Sequence, residues 1–238
     1  MSSLVGLIVK KINLAGTLLG LLLFIAGCSS VPFKIEPETD FKGVDSTQVP
    51  RQFDHQVGQN FEQLQSVVFR FFGKGFTGIG YLSVNSKTEG FALSCMTPTG
   101  ITLFAIKGEG GDVESVFLPP QLEKHGEEMT QSLGKDMQRI YLKWTPPPNA
   151  TVKKHKHYFE YIVKNAAETV SYRYAGPRHL LVEKCFSKGW WTQCVVRYYE
   201  YKEFNGKLYP TGIILHNKKF HYKMILRLKE IYPPKEKH

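Results

Sequence analysis

The chain has 238 residues, 42% of them hydrophobic and 13% aromatic, and carries a formal net charge of +10 from 31 Lys and Arg against 21 Asp and Glu. Plentiful aromatics and the lack of any low-complexity block exclude a disordered or fibrous chain and leave a globular one, of a length that one β-rich domain fills. The basic balance alone admits nucleic acid, an anionic lipid surface or simple solubility as its reason, so the address of the chain has to decide among them.

From Leu14 to Gly27 the chain holds no charge, and Lys10 and Lys11 precede the run. A basic flank, an apolar run and small residues at its end predict a secretory signal over 1–27, and the run is shorter than the ~18 residues expected of a membrane-spanning helix. Its end, Ile25-Ala26-Gly27-Cys28 followed by Ser29, resembles the bacterial lipoprotein signal. That resemblance implies that Cys28 becomes the first mature residue and carries acyl chains on its sulfur and amino group, each buried methylene adding ~0.8 kcal/mol of anchoring. Ser rather than Asp after the Cys implies the periplasmic face of the outer membrane as the address. The bland reading is an ordinary cleaved signal with Cys28 as a chance neighbour. A secreted address argues against nucleic acid and leaves phospholipid headgroups and lipopolysaccharide as polyanions within reach.

Residues 28–59 hold Pro32, Pro37, Pro50 and the acids Glu36, Glu38 and Asp40 with little periodicity, which predicts a flexible tether behind the acylated cysteine. Arg51 to Gln65 fits a short helix or the lead-in to a strand. A folded domain is expected over 60–232 and a basic tail over 233–238.

From Ser66 to Leu118 period-two runs broken by Gly and Asn-Ser clusters predict antiparallel strands over Val67 to Phe72, Phe76 to Val84, Phe91 to Cys95, Ile101 to Ile106 and Val113 to Leu118. In the second of these Phe76, Leu82 and Val84 share one face. Gly78 and Gly80 there favour strong bending of the sheet or room for a ligand.

Met129, Leu133, Met137, Ile140, Tyr141 and Trp144 recur at helical spacing and predict one amphipathic helix over Glu123 to Trp144, stopped by Pro146-Pro147-Pro148. Gly134 inside it points to a kink or a break into two helices. The stripe suits core packing, or a lid whose thioethers fit varied acyl chains.

Lys153 to His157 is a basic run in which His155 and His157 have no acidic or Cys partner nearby, so solvated histidines are expected rather than a metal site. Tyr158 to Val170 is ambiguous between strand and short helix. Strands resume over Tyr172 to Tyr174, Leu180 to Phe186, Thr192 to Phe204, Gly212 to His216 and Phe220 to Ile231, with a turn at Asn205-Gly206. In the last strand Phe220, Tyr222, Met224, Leu226 and Leu228 face one way, and Ile225 is the one apolar residue on the polar face.

The span between Cys185 and Cys194 has its midpoint between Gly189 and Trp190, which suits a two-residue hairpin loop with Gly first. That register sets Cys185 opposite Cys194 and predicts a disulfide there, the alternative being two reduced core thiols; Cys95 is then unpaired and buried.

Several motifs in order give the chain a resemblance to LolB, the outer-membrane lipoprotein receptor of Gram-negative bacteria. They are Gly78-Ile79-Gly80-Tyr81, Thr97-Pro98-Thr99-Gly100, Glu127-Glu128-Met129, Lys188-Gly189-Trp190-Trp191, and Pro210 followed by the alternating strand to Leu228. Phe91-Ala92-Leu93-Ser94 followed by Gly100-Ile101-Thr102-Leu103-Phe104 looks still more like LolB-related lipoproteins found beside aryl-polyene and fatty-acid-like biosynthesis genes. The resemblance implies a mainly β fold, a highly curved, unclosed antiparallel half-barrel of the LolA/LolB kind with one or two helices in its concave side. It implies a hollow that holds the acyl chains of a lipid or lipoprotein without covalent chemistry or cofactor, and a periplasmic carrier protein as a possible partner. LolB projects a Leu just before a Gly in the loop after its third strand. The matching residue here is Thr99, with Met96 as the nearest apolar residue, so transfer or retention of another lipid is the expected role rather than lipoprotein insertion.

An apolar pocket is then expected from Phe76, Leu82 and Val84 of the sheet, Met129, Leu133, Met137 and Tyr141 of the helix, and Met224, Leu226 and Leu228 of the last strand, although an ordinary core would use the same residues. No Gly-x-Ser-x-Gly elbow, HExxH or phosphate-cradling Gly loop is present, so no catalytic residue is nominated and a lipid hydrolase has no motif behind it. A scaffold lipoprotein for an envelope lipid or polyene system is the rival of the binding reading.

Overall fold

The period-two alternation becomes twelve antiparallel strands in a computed structural model that describes residues 31–71, 73–117 and 126–233. The chain divides at Pro32, and the unit that starts at Phe33 contains every strand. Helix α1 (Gln48–Gln56) leads into β1 (Asn60–Phe71), β2 (Lys74–Asn85), β3 (Gly90–Met96), β4 (Thr102–Glu109) and β5 (Asp112–Phe117). Helix α2 (Gly126–Tyr141) separates these from β6 (Thr151–Lys154), β7 (Tyr158–Lys164), β8 (Thr169–Ala175), β9 (Leu180–Lys188), β10 (Trp191–Phe204), β11 (Lys207–Asn217) and β12 (Tyr222–Tyr232). The signal over 1–27, Cys28, Phe72, Leu118, the expected helix start at Glu123 and residues 234–238 lie outside the described residues.

The two meanders join through one non-sequential pair, β1 with β12, to give the order β5-β4-β3-β2-β1-β12-β11-β10-β9-β8-β7-β6 in a single unclosed sheet. Its curvature follows from what α2 touches. The helix packs on β5 through Gly134 and Gln131, on β1 through Tyr141, and on β12 through Ser132. It also meets β10 at Tyr198, and β9 at Phe186 under Arg139. Eight inter-strand spacings separate β5 from β9, ~38 Å across a flat sheet. A helix of 16 residues is only ~24 Å long. The sheet therefore wraps the helix, as an open half-barrel with α2 in its concave side. Phe53 of α1 enters the same side, edge-on to the rings of Tyr174 and Tyr201.

Gly78 and Gly80 lie on the buried face of β2. A Cβ on Gly78 would stand 2.8 Å from the Met96 carbonyl oxygen and 3.0 Å from the Cys95 thiol, so these glycines serve close strand packing in the bend and leave no ligand space. The ambiguous segment after Tyr158 is strand, β7 and the start of β8. Arg51 to Gln65 is both of its readings, the end of α1 and then the start of β1.

Three expectations are corrected. The tether foreseen to residue 59 does not extend that far, because from Phe33 the segment straps onto the sheet. Phe33 stacks on Tyr199 on the outer face beside Ile214 and Ile225, which accounts for the apolar residue on the polar side of β12. Phe41 packs edge-on against Phe159, and Val49, Phe53 and Val57 are buried. The Cys185–Cys194 disulfide is absent, and Cys95, Cys185 and Cys194 are free thiols. Its hairpin does turn at Gly189-Trp190 with Gly189 at φ 60°, but a bulge between Thr192 and Cys194 sets Cys194 opposite Phe186 and Cys185 opposite Val195. The pleat then turns the two thiols to opposite faces. Gly134, finally, does not break α2, which runs without interruption from Gly126 to Tyr141; it admits Val113 of β5, whose side chain would lie 2.3 Å from a Cβ.

Gly134→Ala, which adds about 1 kcal/mol to an exposed helix, should here lower stability by about 1–3 kcal/mol through overpacking. Val113→Ala in the same chain should recover most of the loss, and urea unfolding of the two variants measures both terms.

Candidate functional site

The expected apolar residues converge in the hollow. Leu82, Val84, Leu133, Met137, Tyr141, Met224 and Leu226 are buried in one cluster, with Phe76, Met129 and Leu228 partly buried against it. Sheet and helix thus present facing apolar surfaces, and helix side chains occupy the space between them.

A polar seam that the sequence reading did not single out runs along the same helix. Asp136 is 0% exposed and faces β10, β11 and β12. It accepts hydrogen bonds from the Tyr222 hydroxyl, from Asn217 Nδ2 at 2.8 Å and from Arg139 Nη1 at 3.2 Å, with Cys194 Sγ at 3.8 Å. Burial pushes its carboxyl above the usual range, opposed by the bonds from Tyr222, Asn217 and Arg139. Burial, then the Asp136 carboxylate, likewise push the Tyr222 phenol up. Arg139 carries the seam outward, with Nη2 bonded to Glu168 at 2.8 Å and its guanidinium 4.6 Å above the Phe186 ring. At the other end the Tyr141 hydroxyl donates to Gln65 Oε1 at 2.7 Å and accepts from Gln63 Nε2 at 2.9 Å.

Lys184 of β9, 1% exposed, closes the C-terminal end of the helix. Its Nζ donates to the Leu142 carbonyl at 2.9 Å and the Lys143 carbonyl at 3.3 Å, oxygens that have no helical partner, and lies 5.2 Å from the Trp144 ring centroid. Burial pulls its pKa down to about 7. The signal for both residues was present in the sequence. Asp136 sits between Leu133 and Met137 on the apolar stripe, and Lys184 shares the inward alternation of β9 with Phe186.

No protein-family model and no curated protein matches the sequence. Among solved structures, a LolA superfamily protein from Nitrosomonas europaea superposes with a TM-score of 0.53 at 11% identity, over 82% of this chain and 96% of that one. A domain named as an outer membrane lipoprotein-sorting protein from Vibrio parahaemolyticus gives 0.52 at 10% identity, over 78% and 91%. A DUF1329 family protein from Desulfovibrio piger gives 0.54 at 10% identity, over 78% and 90%. At these identities the likeness is one of fold.

In this fold the loop after β3 is a tight turn, with Thr99 exposed and Met96 half-buried at the end of its strand. The apolar residue the loop presents is Ile101, 66% exposed, whose N–H donates to Thr97 Oγ1 at 3.1 Å; it replaces Met96 as the nearest apolar residue to the tip. Beside the helix end a cleft of about 560 Å³ opens between Leu142, Tyr172 and Phe186 and reaches down to Lys184. His155 stacks on Tyr158 and His157 lies 4.0 Å from Glu38. Among the described residues no group of three or more His, Cys, Asp or Glu could hold a metal ion, and no helix is long and apolar enough to cross a membrane.

Asp136→Leu should cost about 3–5 kcal/mol, since it leaves Arg139, Asn217 and Tyr222 with unmatched buried donors; urea unfolding against wild type measures it. Lys184 has a depressed folded pKa, so the unfolded chain binds more protons above pH 7 and stability should rise with pH through that window. The slope has a ceiling of about 1.4 kcal/mol per pH unit for one proton. Denaturant unfolding between pH 7 and 9 should show the rise in wild type and a flatter profile in Lys184→Met.

Proposed function

We propose that the chain is an outer-membrane lipoprotein of the LolB kind, acylated at Cys28, that binds or transfers the acyl chains of a lipid or lipoprotein between helix α2 and the concave face, without covalent catalysis. The observation that carries the reading is the construction of the hollow. One amphipathic helix fills a wrapped apolar sheet face and is fastened to it by polar contacts at Asp136, Tyr141 and Lys184. Ordered polar contacts of this kind define one closed position, and displacement of the helix would expose the apolar sheet face beneath it. The fold likeness to a domain named for outer membrane lipoprotein sorting supports the same reading.

On this reading Leu82, Val84, Met224 and Leu226 form the sheet wall and Leu133, Met137 and Tyr141 the movable one. Phe76, Met129 and Leu228 lie at the margin, and the occupant is taken up as the helix swings aside. A periplasmic carrier protein delivers or receives it.

A chain starting at Ser29, exported without its anchor, should carry co-purified lipid in native mass spectrometry and bind a fluorescent fatty acid that natural phospholipid displaces. If neither lipid nor fatty acid is bound, the acyl-binding reading falls. The mass of the mature full-length protein tests Cys28 separately, an acylated N-terminal cysteine being the expected result.

A further inference from the structure

The hairpin between β9 and β10 ends on a residue that folding does not require. Gly189, at φ 60°, supplies the conformation the turn needs, while Trp190 beside it is 97% exposed and Trp191 52% exposed. The second position of a two-residue turn is ordinarily small or polar. A whole indole held in water there gains nothing from the fold, and indoles concentrate where one side is apolar and the other wet, at the headgroup level of bilayers.

The hairpin tip is joined to a basic turn. The backbone N–H groups of Lys218 and Lys219 both donate to the Gln193 carbonyl, at 2.7 and 3.2 Å, so the tip and the β11–β12 turn form one unit. Lys188, Lys218 and Lys219 are all exposed, and neither 188–193 nor 218–221 contains an acidic residue. At the opposite end of the same strands the β10–β11 turn is Asn205-Gly206, flanked by Phe204 at 40% exposure and by Lys207, so that turn carries an aromatic and a base but no indole.

We propose that this rim docks on an anionic phospholipid bilayer, with Trp190 and Trp191 at the boundary between headgroups and acyl chains and Lys188, Lys218 and Lys219 against lipid phosphates. The inference rests on the lipoprotein reading for the presence of a bilayer. Five residues of chain join Cys28 to Phe33, a reach of at most ~18 Å, and the Phe33 ring packs against Gly212 of β11. Gly212 is in turn five residues from Asn217 at the end of β11, ~17 Å along the strand. A bilayer that holds the anchor is therefore within reach of the rim, and the Trp and Lys residues select which end of the sheet faces it. Docked this way, the domain stands with its strands across the membrane plane and the end of its hollow toward lipid.

The test uses the full-length protein in vesicles of phosphatidylethanolamine and phosphatidylglycerol, with and without bromine on the acyl chains near the headgroups. Trp144 is buried in the domain, so bromine reads Trp190 and Trp191. Indole emission should fall at least twofold in the brominated vesicles, and Trp190→Ser with Trp191→Ser should abolish that difference. Lys218→Glu with Lys219→Glu should weaken it, and an unchanged thermal midpoint shows that each variant is folded. Equal emission in brominated and plain vesicles would overturn the proposal. So would loss of a dimer in the Trp variant without any quenching in wild type, which would make the rim a contact between copies of this chain. The mass of the mature chain reports Cys28 acylation independently: if it is unacylated, flotation of the chain with the same vesicles and its loss in the Trp variant test the rim alone.

Discussion

Everything in this domain depends on one helix being wrapped by one sheet. The strands between β5 and β9 would span more than the length of α2 if they lay flat, so the curvature of the sheet and the seat of the helix are a single constraint. The apolar stripe supplies the energy of that seat, and the buried polar groups supply its position. A stripe of Leu133, Met137, Ile140 and Tyr141 can slide or rotate against apolar strands at small cost. Asp136 cannot, because its carboxylate is satisfied only when Tyr222, Asn217 and Arg139 surround it.

Fastenings of this type have a consequence for opening. Purely apolar contacts weaken gradually as two surfaces part, whereas a buried carboxylate and a buried amine lose their partners over a short distance. Lys184 holds the Leu142 and Lys143 carbonyls, just past the helix, from the inner face of β9, so the middle of the helix and its C-terminal end are both fixed by polar groups. A helix held in this way has a closed state with sharp boundaries, as the acyl-binding role proposed above requires.

The strap that begins at Phe33 lies on the outside of the sheet. By stacking on Tyr199 and covering Ile214 and Ile225, it ties the chain near the outer face of β10–β12. A long flexible tether would let the domain adopt any pose at a membrane, while a short leash leaves surface chemistry to choose the pose. The indole and lysine tips at one rim are the chemistry available to do so.

The alternation of apolar and polar residues by itself determined the antiparallel strands, since period two has one structural meaning, and the 3.6-residue stripe determined the helix. The proposed acylation of Cys28 also rests on sequence alone, because the box that suggests it is a local motif. Sequence placed the turn at Gly189, where only positive φ fits. Tertiary structure decided the rest. A single bulged residue after Thr192 reversed the faces of Cys185 and Cys194, and no local pattern announces a bulge. Gly134 read as a helix breaker until Val113 came to fill its missing side chain. Phe33 and Phe41 read as tether because irregular segments have no period, and only the sheet beneath them shows what they cover. Asp136 and Lys184 interrupted apolar patterns visibly, yet their partners come from strands up to 86 residues away in sequence, and such distances are closed only by the fold.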